Sequence, residues 1–184
     1  MSSSKSRRRT RSFPFAVFLA LSTTTLTACS GSGGKALDGG GQAANLVGYE
    51  HTQVGEEYWV TMPEMSNNSG KPITVLSAKI VDVPAGLRIT GYRVANAGTG
   101  GHPIGVIPVG ATDGIGRASA HKGGQIQIKP HALSSLYYEA RVKVTGPVHG
   151  DLTTCRYEYR QGSVTYHEDL GCDTRIRLGG PLKK

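Results

Sequence analysis

The sequence is poor in the features that announce a catalytic or metal-binding chain. It has three cysteines, and none stands in Cys-x-x-Cys spacing. It has six histidines (His51, His102, His121, His131, His149 and His167), and no two of them stand in His-x-x-x-His spacing. The common helical zinc arrangement is therefore missing. No Gly-x-Ser-x-Gly nucleophile elbow occurs. No apolar run reaches the roughly 20 residues that a membrane-spanning helix needs. No stretch beyond the N-terminal region repeats apolar residues at helical spacing between caps, which argues against an α-helical domain.

The N-terminus has a character of its own. Lys5, Arg7, Arg8, Arg9 and Arg11 precede an apolar run from Phe13 to Leu21, and no acidic residue lies among them. The run fades through Thr23, Thr24 and Thr25 and ends at Leu26-Thr27-Ala28-Cys29. A basic segment, a short apolar segment and small residues before a cut site form the pattern of an export signal. The chain carries 21 Lys+Arg against 13 Asp+Glu. Five of the bases lie in the signal, leaving 16 against 13 beyond it. The high isoelectric point is thus mostly the signal's, and no nucleic-acid partner is expected.

Leu26-Thr27-Ala28-Cys29 resembles the lipobox of bacterial lipoproteins. The resemblance covers about the first 29 residues. It implies a diacylglyceryl thioether on Cys29, cleavage before that residue, and a lipid-anchored domain on the extracytoplasmic face of the cell membrane. Ser6-Arg7-Arg8-Arg9-Thr10 resembles the start of a twin-arginine export motif, but the Phe-Leu pair that usually follows is missing. Residues 1–28 are accordingly expected to be a signal peptide, 29–48 an acylated cysteine with a Gly/Ser-rich tether, and 49–184 the folded domain. A Gly-rich coil of the tether's length spans roughly 25 Å. Gly39-Gly40-Gly41 has no following Lys-Ser/Thr pair, so it is linker rather than a phosphate loop.

Beyond Tyr49 the pattern is β. From Leu136 to Thr145 apolar and polar residues alternate, placing Tyr138, Ala140, Val142 and Val144 on one face and Tyr137, Glu139, Arg141 and Lys143 on the other. Thr153 to Tyr159, Gln125 to Lys129, Val164 to Tyr166 and Thr174 to Leu178 alternate too. Ile73 to Val83 is more apolar and predicts a central strand. Leu87 to Val94 and Tyr58 to Met62 predict two more strands, while 97–103 and 110–114 read as loops. About eight short strands separated by turn chemistry predict an all-β antiparallel β-sandwich. Asn68-Ser69-Gly70-Lys71-Pro72, leading into an apolar strand, resembles a turn of immunoglobulin-like extracytoplasmic modules.

With Cys29 acylated, Cys155 and Cys172 remain, and an oxidising compartment favours a disulfide between them. Strand parity turns both thiols inward. A turn at Gln161-Gly162 would place Glu168 opposite Cys155, so the bond requires a bulge near 169–171 or cysteines on separate sheets.

The remaining chemistry is sparse. Met62 and Met65 with histidines suggest a copper or small-ligand carrier as an alternative. Ser134-Ser135 after His131, or Glu158 with Glu168 across a hairpin, would be the material of a hydrolase. Tyr137, Tyr138, Tyr157, Tyr159 and Tyr166 crowd the last third and serve either cross-strand packing or an exposed contact surface. The expectation is a non-catalytic, cofactor-free interaction module facing an envelope protein or the cell wall.

Overall fold

The computed structural model describes residues 30–32, 35–98, 105–111 and 124–180. Residues 1–29, with the expected signal peptide and Cys29, lie outside them, as do His102, His121 and most residues of the two expected loops.

The domain is all-β. Its strands are β1 (Ser30–Ser32), β2 (Leu37–Asp38), β3 (Val47–Thr52), β4 (Glu57–Thr61), β5 (Ser66–Asn67), β6 (Ile73–Val81), β7 (Leu87–Asn96), β8 (Val106–Pro108), β9 (Ile126–Ile128), β10 (Ala132–Leu133), β11 (Leu136–Val144), β12 (Leu152–Gln161) and β13 (Val164–Leu178). A six-stranded sheet runs β1-β13-β12-β6-β9, with β3 also on β13. A four-stranded sheet runs β7-β11-β4-β8, and a small one runs β10-β5-β2. All pairings are antiparallel except those of β1 and β3 with β13, which are parallel.

The inner faces of the two large sheets share one hydrophobic cluster. Val60, Ala140 and Val142 from one sheet meet Val75, Ile80 and Tyr157 from the other. Tyr138 and Tyr157 touch edge to face across it, with ring centroids 6.3 Å apart. Burying each valine or isoleucine stabilises by about 1.5–3 kcal/mol. The buried Tyr157 hydroxyl donates to Pro63 O at 2.9 Å, which meets its hydrogen-bonding need. β6 is central as its composition predicts, but its faces alternate rather than both being buried.

β12 and β13 form one long hairpin. Gln161 pairs with Val164, so the turn is Gly162-Ser163, one residue later than the sequence suggests. Gly162 supplies the positive φ, +62°, that such tight turns demand. The later turn puts Leu170, not Glu168, opposite Cys155. A register shift between Leu152 and Thr154 then swings Cys172 inward. Cys155 and Cys172 form a disulfide with their Cα atoms 5.8 Å apart. The two short strands read from 164–166 and 174–178 are thus a single strand carrying a bulge.

The N-terminal stretch corrects an expectation. Residues 35–48, read as flexible tether, are part of the domain. Ala36 and Leu37 are buried in the core. Their backbone N–H groups each donate to Glu168 Oε2 at 3.1 Å. Gly40–Ala44 forms a 3₁₀ turn whose Ala43 packs close to Gly39 and Gly171. Composition suggested coil, but the apolar Ala36-Leu37 pair finds a buried place and the half-buried carboxylate satisfies the backbone there. Ser30–Ser32 pair in turn with Thr165–His167.

At the opposite end of the N-terminal segment's neighbour, β5, Asn67 is fully buried and organises the turn to β6. Its Nδ2 donates to Lys71 O and Lys129 O at 2.9 and 3.1 Å, and its Oδ1 accepts from Ser69 N at 3.0 Å. The residue that builds this turn is therefore Asn67 rather than the Asn68 of the sequence motif. Asn68 instead donates to Asp38 at 3.1 Å.

Candidate functional site

The outer face of the four-stranded sheet carries the densest polar chemistry among the described residues. Alternation along β11 sends Tyr137, Glu139, Arg141 and Lys143 to this face. The ladder sets Glu139 between Arg93 on β7 and Thr61 on β4, and Arg141 between Gly91 and Trp59. Gly91 has open space where a side chain would stand. Arg93 reaches across β11, and its guanidinium carbon lies 3.8 Å from the centroid of the Trp59 ring. The guanidinium carbon of Arg141 lies 6.0 Å from the same centroid. An arginine over an indole face is attracted by the ring's electron density.

Each arginine also holds a carboxylate. Arg93 Nε donates to Glu139 Oε2, and Arg141 Nη2 donates to Glu57 Oε2. Glu139 is only 1% exposed, so its charge depends on Arg93 for compensation. Tyr137 beside it is equally buried, though its parity predicted a wet position. Burial, with Glu139 adding to it, pushes the Tyr137 hydroxyl up to about 12. Two buried polar atoms in this cluster, Thr61 Oγ1 and Arg141 Nε, have no hydrogen-bond partner. Such atoms are uncommon in folded proteins, and here both lie beside the Trp59–Glu139 ladder.

The outer face of the six-stranded sheet is different in kind. A depression of about 480 Å³ is lined by Ser77, Lys79, Arg156, Glu158, His167 and Asp169. Arg156 grips Asp169 with two bonds of 2.7 Å, and both side chains are 42% exposed. The Arg156 hydrogen bonds hold the Asp169 carboxyl below its ordinary range. The depression is open and its charges face water.

Several residues singled out in the sequence are not brought together. Glu158 pairs with His167 while Glu168 pairs with the neighbouring Tyr157, so the two carboxylates point to opposite faces of the sheet. Ser134 Oγ accepts from Leu136 N at 3.0 Å and donates to Leu136 O at 2.8 Å, closing a turn. Met62 and Met65 lie inside the core, 0% and 1% exposed. His51 donates to Gly180 O at 2.8 Å, His131 and His149 are exposed, and His167 lines the depression. Among the described residues no group of three His, Cys, Asp or Glu side chains is placed to hold a metal. Tyr137, Tyr138, Tyr157 and Tyr159 are all buried and Tyr166 is half-buried, so they form no exposed tyrosine surface.

Trp59, Arg93 and Glu139 were not singled out in the sequence. The available signal was the chain's single tryptophan, at a position that alternation with Tyr58 and Val60 turns away from the core. No protein-family model, no curated protein and no solved structure matches this chain.

Proposed function

We propose that this protein is a membrane-anchored extracytoplasmic lipoprotein, acylated on Cys29, whose immunoglobulin-like β-sandwich acts as a non-catalytic binding module toward an envelope protein or the cell wall. The anchor rests on Leu26-Thr27-Ala28-Cys29 behind its basic and apolar segments. The sandwich rests on two large sheets enclosing one core. The observation that carries the binding role is the Trp59–Arg93–Arg141 ladder on the outer face of the four-stranded sheet. Tryptophan and arginine held on paired strands are the residue types that dominate recognition surfaces. Glu139 and Glu57 are engaged by arginines, which favours a positioning role over proton transfer.

Intact mass of the protein taken from its membrane tests the anchor. The expected species starts at acylated Cys29 and gains two hydrogens on reduction; an unmodified Cys29 overturns it. The binding role is read from Trp59, whose emission reports on this face alone because the chain has no other tryptophan. Solubilised wall fragments or purified envelope proteins are expected to shift that emission saturably, and Arg141→Ala to weaken the response. Turnover of a substrate, or stoichiometric metal in the purified protein, would sink the proposal.

A further inference from the structure

The docked N-terminus determines where an anchor on Cys29 leaves the domain. Ser30, one peptide bond beyond Cys29, is in register with Thr165. Thr165 follows Val164, which closes the Gly162-Ser163 turn with Gln161. Adjacent Cα atoms are about 3.8 Å apart. Residues 30–48 were the spacer the sequence offered; of them, Ser30–Ser32 and Val47–Gly48 pair with β13, and Ala36 and Leu37 are held by Glu168 on the same strand. The anchor therefore emerges at the hairpin end of the six-stranded sheet, with no coil to hold that end away from a bilayer.

That end is basic. Gln161 Nε2 donates to Ser69 Oγ at 2.8 Å, joining the hairpin to the turn before β6. Asn67 joins that turn, through Lys71 O, to the segment after β9, through Lys129 O. Three loops thus form one surface, and Lys71, Lys129 and Arg160 are exposed on it. The carboxylates joined to this network are Asp38, bonded to Asn68, and the half-buried Glu168, which accepts from Ala36 N and Leu37 N. Lys35, at the start of the docked segment, is exposed as well.

We infer that this hairpin end is a membrane-contact surface, which seats Lys71, Lys129 and Arg160 among anionic lipid headgroups and fixes the orientation of the domain on the bilayer. The inference rests on the lipid-anchor reading above and adds a second, electrostatic attachment to it. Lys and Arg near an anionic surface are attracted through the surface potential, so a basic end held at the bilayer by the anchor gains a second attachment. The opposite consequence concerns the Trp59 face: it belongs to the other sheet and remains available to a partner while the hairpin end is engaged.

The test uses the acylated protein on vesicles of phosphatidylcholine with an equal share of phosphatidylglycerol, and Ser163→Trp as a depth probe in the exposed turn. Brominated lipid is expected to quench this variant beyond the native protein, whose Trp59 supplies the baseline. Combined Lys71→Glu, Lys129→Glu and Arg160→Glu exchange is expected to lower that extra quenching markedly while the acyl chains keep the protein on the vesicles. Protein that stays vesicle-bound with no extra quenching overturns the contact surface and leaves the anchor standing. Protein that is not retained, with an unmodified Cys29 by mass, overturns both. A second measurement needs no anchor: protein produced from Ser30 onward, without the basic residues 5–11, is expected to co-sediment with the anionic vesicles and not with phosphatidylcholine alone. Lys129→Gln should weaken that partitioning by about fivefold. Equal sedimentation with the two lipids rules the electrostatic attachment out.

Discussion

The two large sheets handle charge on their outer faces in opposite ways. On the six-stranded sheet, Arg156 and Asp169 meet at the surface with water around both. On the four-stranded sheet, Glu139 is buried and its compensation comes from Arg93, which also lies over the Trp59 ring. Arg156 grips Asp169 with two bonds and Arg93 holds Glu139 with one, but the larger difference is in their surroundings. An exposed pair exchanges water for a partner of nearly equal worth, whereas a buried carboxylate has no second choice. The difference predicts that similar substitutions on the two faces have unequal consequences.

The largest effect is expected from Arg93→Met. It leaves the Glu139 carboxylate buried without its partner, and the cost is about 3–5 kcal/mol in urea unfolding. Adding Glu139→Leu should recover most of the loss, since a fully apolar pair removes the uncompensated charge. A double mutant no more stable than the single one would show that the arginine acts by covering Trp59 instead.

Next comes the covalent staple, which the six-stranded sheet has and the four-stranded sheet lacks. Cys155→Ala with Cys172→Ala opens a crosslink with a sequence separation of 17. About 3 kcal/mol should be lost, seen as a lower denaturation midpoint. If Arg93→Met proved milder than this, the buried pair would not dominate its sheet.

A smaller effect belongs to Glu168. Burial pushes its carboxyl above the ordinary range, against the opposing hydrogen bonds from Leu37, Tyr159 and Ala36. The folded protein therefore holds this proton more tightly than the unfolded chain. Its contribution to stability is fully present below pH 4.5 and is lost as pH rises through the raised folded value. Asp151 and Asp169 work in the other direction. Burial alone would raise Asp151, but Arg175 and Arg177 outweigh it, while Arg156 lowers Asp169. Their stabilisation is present above pH 3.8 and is lost as pH falls through the lowered values. Glu168→Gln should flatten the decline above pH 4.5 in a series of urea midpoints and leave the acid limb unchanged. Glu168→Ala should cost about 1–3 kcal/mol and speed amide exchange at Ala36 and Leu37 selectively. The smallest effect is Asp169→Asn, which is expected to lower the midpoint at neutral pH only slightly, a loss of less than about 1 kcal/mol for a pair this exposed.

The legible parts of this molecule are those whose pattern is local. β11 and β12 announce themselves by alternation, which turns Cys155 inward, and the alternation of Thr174 and Ile176 on β13 does the same for Cys172. The disulfide's register was harder to see, because moving the turn by one residue shifts every partner by two. The docking of residues 35–48 left no local pattern. Strands of two and three residues are too short for a period to show, and the carboxylate that holds Ala36 and Leu37 comes from the other end of the chain. The polar ladder was hidden for a related reason. Glu139 looked like a wet position because alternation tells which face a side chain takes, not what covers that face. Arg93 and Trp59 reach it from strands distant in sequence.

The parallel seating of β1 and β3 has a meaning beyond the placement of an anchor. β13 is the longest strand, at 15 residues, and its side away from β12 is paired by β1 near its start and by β3 near its end. A chain shortened to begin at Gln53 would present that row of backbone donors and acceptors to any other chain, the template on which strands add and aggregates grow. The N-terminal stretch is in this sense a built-in guard against self-association, and losing it to proteolysis would leave that edge open to strand addition.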